Sequence, residues 1–114
     1  MKYEGRMDPE CLSLCDAINR IDGVRTLESC CGHGKRSFKV WLKVDEGRLN
    51  QLALLCYHLR PGATPFQRWS CQALSDGTAS EVYFMLESPS MGDDAYQQAY
   101  YIADLVNKLV EKRH

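Results

Sequence analysis

Ser37-Phe38-Lys39-Val40-Trp41-Leu42-Lys43-Val44 alternates apolar and polar side chains without a break. Phe38, Val40, Leu42 and Val44 share one face, and Ser37, Lys39, Trp41 and Lys43 share the other, as expected of an antiparallel strand with one face buried and one wetter. Upstream, Val24 to Ser29 reads as a partner strand. Between them Glu28-Ser29-Cys30-Cys31-Gly32-His33-Gly34-Lys35-Arg36 gathers two thiols, an imidazole, two glycines and two cations into nine residues. It reads as the connection of a β-hairpin and as the densest chemistry in the chain.

Outward from this hairpin the pattern changes to helical periods. Asp8-Pro9-Glu10 is a helix start, with an aspartate to cap and proline at the first helical position. The first helix is expected over Pro9 to Ile21, with Cys11, Leu14, Cys15 and Ile18 on its buried face and Gly23 ending it in a left-handed turn. After the hairpin, Asp45 is the expected cap of a second helix over Glu46 to Leu59, with Leu49, Leu52, Ala53, Cys56 and Leu59 as its stripe. Arg60-Pro61-Gly62 stops it. A third strand is expected over Gln67 to Leu74, with Trp69, Cys71 and Ala73 on one face. Ser75-Asp76-Gly77-Thr78 supplies a turn into a fourth strand over Glu81 to Glu87, with Val82, Phe84 and Leu86 inward. Ser88 to Gly92 reads as a break before a last helix, which starts near Asp93 and buries Ala95, Ala99, Ile102, Ala103, Val106, Leu109 and Val110.

The element order is therefore α-β-β-α-β-β-α. Strand two, helix two and strand three form a β-α-β crossover, and strand four fits between strands two and three. The expected fold is α+β, a four-stranded antiparallel-rich sheet in order 1-2-4-3 with helices on one face, a permuted ferredoxin-like arrangement, with a meander of hairpins and less regularly wrapped helices as the alternative. Residues 1–114 form one domain, since this length sustains one hydrophobic core.

Composition sets outer bounds on function. The formal charge is −1, with 45% hydrophobic and 25% charged residues, so nucleic acid would be held only through a local patch. No run approaches the ~18 apolar residues of a membrane helix, and no membrane partner is expected. Met1 to Arg6 carries charge with no apolar region after it, so a reduced, cytoplasmic setting is the expectation. All six cysteines are then free thiols, with Cys15, Cys56 and Cys71 buried as small core hydrophobes.

Three chemistries fit the loop. In the first, Gly32 and Gly34 take positive φ and turn backbone N–H groups into a concave nest, with Lys35 and Arg36 at its rim, to hold a small anionic or nucleotide-like ligand. Ser29, Cys30, Gly32, Gly34, Lys35 and Arg36 are the ligand-binding candidates. In the second, Cys31 and His33 bind zinc together with Cys11 and Cys15. Cys30 and Cys31 point to opposite faces of an extended chain, and the spacing lacks paired C-x-x-C, so no metal is assigned and zinc is the less favoured reading. In the third, Cys31 and His33 are catalytic, a thiol beside cations and an exposed imidazole that moves protons, with Glu28 or Asp8 as the partner carboxylate.

Asp8, the helix with Ile18-Asn19, then Gly23, Thr26 and Glu28-Ser29-Cys30-Cys31-Gly32-His33 resemble the opening of the wybutosine-synthesising methyltransferase family. Those enzymes act on a hypermodified guanosine of phenylalanine tRNA with S-adenosylmethionine, and carry an aspartate-led helix with Ile-Asn, then Thr-Ser-Ser-Cys-Ser-Gly-Arg on a strand and loop. The resemblance covers about residues 8 to 44. It places Ser29, Cys30 and Gly32 on the family's Ser-Cys-x-Gly positions and Asp8 on its leading aspartate, with His33 where the family has arginine. It implies S-adenosylmethionine as cofactor and RNA methyl transfer as activity. The chain also resembles small bacterial and phage proteins with a Ser-Cys-Cys-Gly-His-Gly loop, from which no function follows.

The functional expectation is a small domain, an enzyme or not, that binds an anionic or nucleotide-like ligand at Ser29 to Arg36. Its alternative is an interaction or self-associating module, a homo-oligomer included, in which the loop is a plain turn. There the open sheet face with Trp41 and Tyr96, Tyr100 and Tyr101 would meet the partner.

Overall fold

In the computed structural model, which describes residues 8–75, 77 and 81–112, four strands pair antiparallel in the order β1-β2-β4-β3. They are β1 (Val24–Cys30), β2 (Ser37–Val44), β3 (Ser70–Ser75) and β4 (Val82–Met91). Because β4 is antiparallel to both β2 and β3, those two run parallel on either side of it, joined through α2 (Leu49–His58). The N-terminal helix is a 3-10 turn, Pro9–Cys11, continuing into α1 (Leu12–Asn19), and the chain closes with α3 (Gly92–Lys112). The α+β class and the strand order are as the alternation and the crossover argument predict.

The alternation in β2 decides which face is covered. Phe38, Val40 and Leu42 are fully buried, and Leu86 lies directly across from Val40 on β4. Over this face pack Leu14, Cys15 and Ile18 of α1, Leu52 and Leu55 of α2, and Ala95, Ala99, Ile102, Ala103 and Val106 of α3. Phe38 is the centre of an aromatic group, with Trp69 at 5.6 Å and Tyr96 at 6.4 Å between ring centroids. Trp69 keeps its ring buried because Nε1–H donates to Gln98 Oε1 at 2.9 Å.

Several boundaries differ from expectation. Helix α1 stops at Asn19 rather than Ile21, because the Asn19 side chain turns to β1. Its Oδ1 accepts the Thr26 N–H at 2.8 Å and its Nδ2 donates to Thr26 Oγ1 at 2.9 Å. Gly23 then takes φ +79 as expected, in a corner so tight that a Cβ would clash with Arg48 Cγ. Asp45 does not cap α2. Its carbonyl accepts from Arg48 N–H at 3.0 Å and its carboxylate pairs with Arg25 at 3.2 Å, so the helix begins at Leu49. This late start sets the phase: Leu52, Leu55 and Leu59 point inward, while Leu49 and Ala53, expected in the stripe, are exposed.

Strand β4 also passes through the expected break and ends at Met91. Pro89 has no N–H to give to a ladder, and the Ser88 hydroxyl takes over there, accepting from Phe38 N–H at 2.8 Å and donating to Ser90 O at 2.6 Å. The register shift between Ser37 and Lys39 marks the same spot. β3 starts at Ser70 instead of Gln67, with Ala73 exposed. Val82, expected inward, is 54% exposed at the far end of β4. Asp76 and Thr78 of the expected hairpin turn lie outside the described residues.

All six cysteines are free. Cys11, Cys15 and Cys31 are buried, whereas Cys56 and Cys71, expected to be buried, are only half-buried.

Candidate metal centre at the glycine loop

Gly32, His33 and Gly34 turn through the left-handed region one after another, with φ of +80, +53 and +78. Glycine takes this conformation freely, and histidine is among the few side chains that tolerate it. Gly32 is required twice over, because a Cβ there would also lie 2.8 Å from the Ser37 carbonyl oxygen. The tight left-handed turn folds the loop back on itself, and most of its N–H groups find acceptors within the protein. Cys31 N–H donates to Asp8 Oδ2 at 3.1 Å, Gly32 N–H to Cys30 Sγ and His33 N–H to Cys31 Sγ, both at 3.4 Å. Gly34 N–H is directed at the Tyr96 hydroxyl, and Lys35 and Arg36 N–H donate to Gly32 O at 3.0 and 3.1 Å. The amides that the nest reading would offer to an anion are thus engaged internally.

The structure separates the residues that the sequence groups. Ser29 pairs with Val40, on the helix side, and its hydroxyl hydrogen-bonds the thiols of Cys11 and Cys15. Cys30 pairs with Lys39 and so faces the open side of the sheet. Lys35 and Arg36 are exposed, and Glu28 sits opposite Trp41. What comes together is Asp8, Cys31 and His33. One donor atom of each lies within 4.8 Å of the others: a carboxylate oxygen, Sγ and a ring nitrogen. Cys31 Sγ is 3.7 Å from His33 Nδ1, and His33 Nε2 is 3.9 Å from Asp8 Oδ2. Cys11 and Cys15, the expected companions of Cys31 and His33, are held by Ser29 in the core instead.

Electrostatics tie the three together. The Asp8 carboxyl is held below its ordinary value, first by the Cys31 N–H, against burial, and further by the Cys31 thiol and His33. Burial pushes the Cys31 thiol up, although His33 N–H and the Tyr96 hydroxyl both donate to the sulfur and favour its ionised form. The Tyr96 hydroxyl is itself pushed up to about 12, first by that bond to Cys31. The Cys31 thiol also hydrogen-bonds the Asp8 carboxylate, which adds to its upward shift and to the downward shift of Asp8.

Tyr96 is the residue that sequence reasoning assigned elsewhere. The sequence groups it with Tyr100 and Tyr101 as an interaction surface, and its helical position alone gives no sign that it reaches the loop. The sequence carries no signal for it; in the structure a Cβ added at Gly92, one turn before Tyr96, would lie 3.8 Å from Gly34 Cα. The chain matches no family model, no curated protein and no solved structure.

Proposed function

We propose that the loop is a zinc-type metal centre that binds a small anionic ligand through the ion. Cys31 Sγ, His33 Nδ1 and the Asp8 carboxylate are its protein donors, and the remaining coordination position is open. The observation that carries this reading is the convergence of Asp8 with Cys31 and His33 around a sulfur that already receives two hydrogen bonds. Outer donors of this kind orient and stabilise a ligating thiolate.

The distances support it. In a tetrahedral zinc site, Zn–S of about 2.3 Å and Zn–N of about 2.0 Å put sulfur and nitrogen about 3.5 Å apart. The 3.7 Å between Sγ and Nδ1 is close to that edge. The carboxylate closes the third corner with a shift of its side chain. Three protein donors with one position left over is the pattern of a site that exchanges ligands or activates water. With the loop amides engaged internally, the ion supplies the positive charge that an anionic ligand needs, and the exposed Lys35 and Arg36 add to it. A free nucleophile is less well served, because Cys31 is 3% exposed and burial works against its thiolate. An ion deprotonates the thiol outright.

Metal analysis and cobalt substitution test the proposal. Protein freed of metal and then given Zn²⁺ should retain about one equivalent, and Co²⁺ should give a thiolate-to-cobalt charge-transfer band. Cys31→Ser should abolish the band, and Asp8→Ala and His33→Ala should each weaken binding at least tenfold. Thermal-shift screening of the loaded protein with phosphate, carboxylates, nucleotides and S-adenosylmethionine then identifies the ligand class. Failure to retain zinc at micromolar concentration, or equal retention by the Cys31→Ser variant, would overturn the proposal.

A further inference from the structure

Two other thiols meet at a distance from the loop. Cys56, on α2, and Cys71, on β3, both line a cavity of about 370 Å³ together with Arg60, Arg68 and Trp69. Both are half-buried, so they are within reach of small solutes. Their thiols are hydrogen-bonded to each other. This bond lowers Cys56 to about 7, against burial, and raises Cys71, which keeps its proton. The contrast with the core is plain, because burial pushes the thiols of Cys11 and Cys15 up.

We propose that Cys56 and Cys71 are a hydroperoxide-reactive pair that closes into a disulfide between α2 and β3. Cys56 is the attacking sulfur and Cys71 the resolving one. An adjacent second thiol in contact with the first and a partly open pocket that both sulfurs line are features that make cysteine oxidation site-selective.

The chemistry balances with a hydroperoxide, ROOH, as the oxidant. The Cys56 thiolate attacks the outer oxygen, the O–O bond breaks, and Cys56 becomes a sulfenic acid. The departing RO⁻ takes up the proton that Cys56 released on ionising and leaves as ROH. Cys71 sulfur then attacks Cys56 sulfur, the S–O bond breaks, and the hydroxyl leaves with the Cys71 proton as water. Two thiols are oxidised by two electrons in total, and the peroxide is reduced by two. An external thiol reverses the cross-link by exchange.

The test is a titration of fully reduced protein with hydrogen peroxide, followed by thiol counting in denaturant and peptide mapping. One equivalent should remove two of the six thiols and yield a cross-linked peptide pair containing Cys56 and Cys71. Cys71→Ser should stop at a sulfenic acid on Cys56, trapped by a cyclic dione. Cys56→Ser should react at least tenfold more slowly, and Cys30→Ser should behave as wild type. Far-ultraviolet circular dichroism establishes that each variant is folded before it is scored. A first oxidation mapped to Cys30 or Cys31, an intermolecular cross-link as the main product, or equal rates for wild type and Cys56→Ser would each overturn the proposal. None of these outcomes depends on the metal centre.

Discussion

Asp8 Oδ2 accepts the backbone N–H of Cys31 at 3.1 Å, joining the residue that precedes the first helix to the loop 23 positions later. The bond is charge-assisted and half-shielded from water, so it is among the stronger single contacts of the site. Asp8→Ala leaves the Cys31 amide without its acceptor and should lower stability by about 2 kcal/mol. Urea denaturation measures it, and a loss under about 0.5 kcal/mol would show that water replaces the carboxylate without penalty.

The two loop glycines should respond differently to alanine. At Gly34 the added Cβ enters open space, so only the left-handed backbone is penalised, at about 1 kcal/mol. At Gly32 the same strain is joined by a Cβ 2.8 Å from the Ser37 oxygen, and the loss should be about 3 kcal/mol. Chemical denaturation of the two variants side by side decides it, since equal losses would mean that β2 gives way easily at Ser37.

Stability should depend on pH at both extremes. The folded Asp8 carboxyl lies below its ordinary 3.8, so its contribution is complete above that value and is lost as pH falls through the lower folded value. Asp8→Asn should therefore show a shallower acid limb. Burial pushes the Cys11 thiol from 9.0 up to about 12. The unfolded chain ionises this thiol first, so stability falls as pH rises from 9.0 toward that value. Thermal unfolding of wild type, Asp8→Asn and Cys11→Ala across pH reads both limbs.

Metal affinity should rise with pH near neutrality. Binding displaces the Cys31 thiol proton, which burial holds on the free protein, and requires His33 neutral. Zinc titration in the presence of a competing chelator, repeated from pH 6 to 8, should show tighter binding and proton release at each step. Affinity independent of pH would argue against a thiolate ligand.

The core carries the largest single effects. Phe38→Ala removes a fully buried ring from between Trp69 and Tyr96 and should lower stability by about 4 kcal/mol. Val82→Ala, on the same face of the sheet but at the far end of β4 and 54% exposed, should change it by less than about 0.5 kcal/mol. Guanidinium denaturation compares the pair directly.

Local periodicity determined the elements, and the crossover argument favoured their order in the sheet, which the structure shows. The period of two in β2 and of 3.6 in the helices follows from neighbouring residues alone, and the short β-α-β crossover leaves few places for β4. The left-handed turn was legible too, because Gly32 and Gly34 bracket a histidine. Contacts across the sequence were not. The Asn19 bonds that end α1, the Ser88 hydroxyl that carries β4 past Pro89, and the turn that sets the phase of α2 each replace a local preference with a partner found only after folding. The site follows the same division. Sequence marked Cys31 and His33 by their density in one loop. Only the tertiary structure brought in Asp8 and Tyr96, and only it turned the loop amides onto sulfur and carboxylate, because a buried N–H must find an acceptor and the nearest ones come from distant parts of the chain.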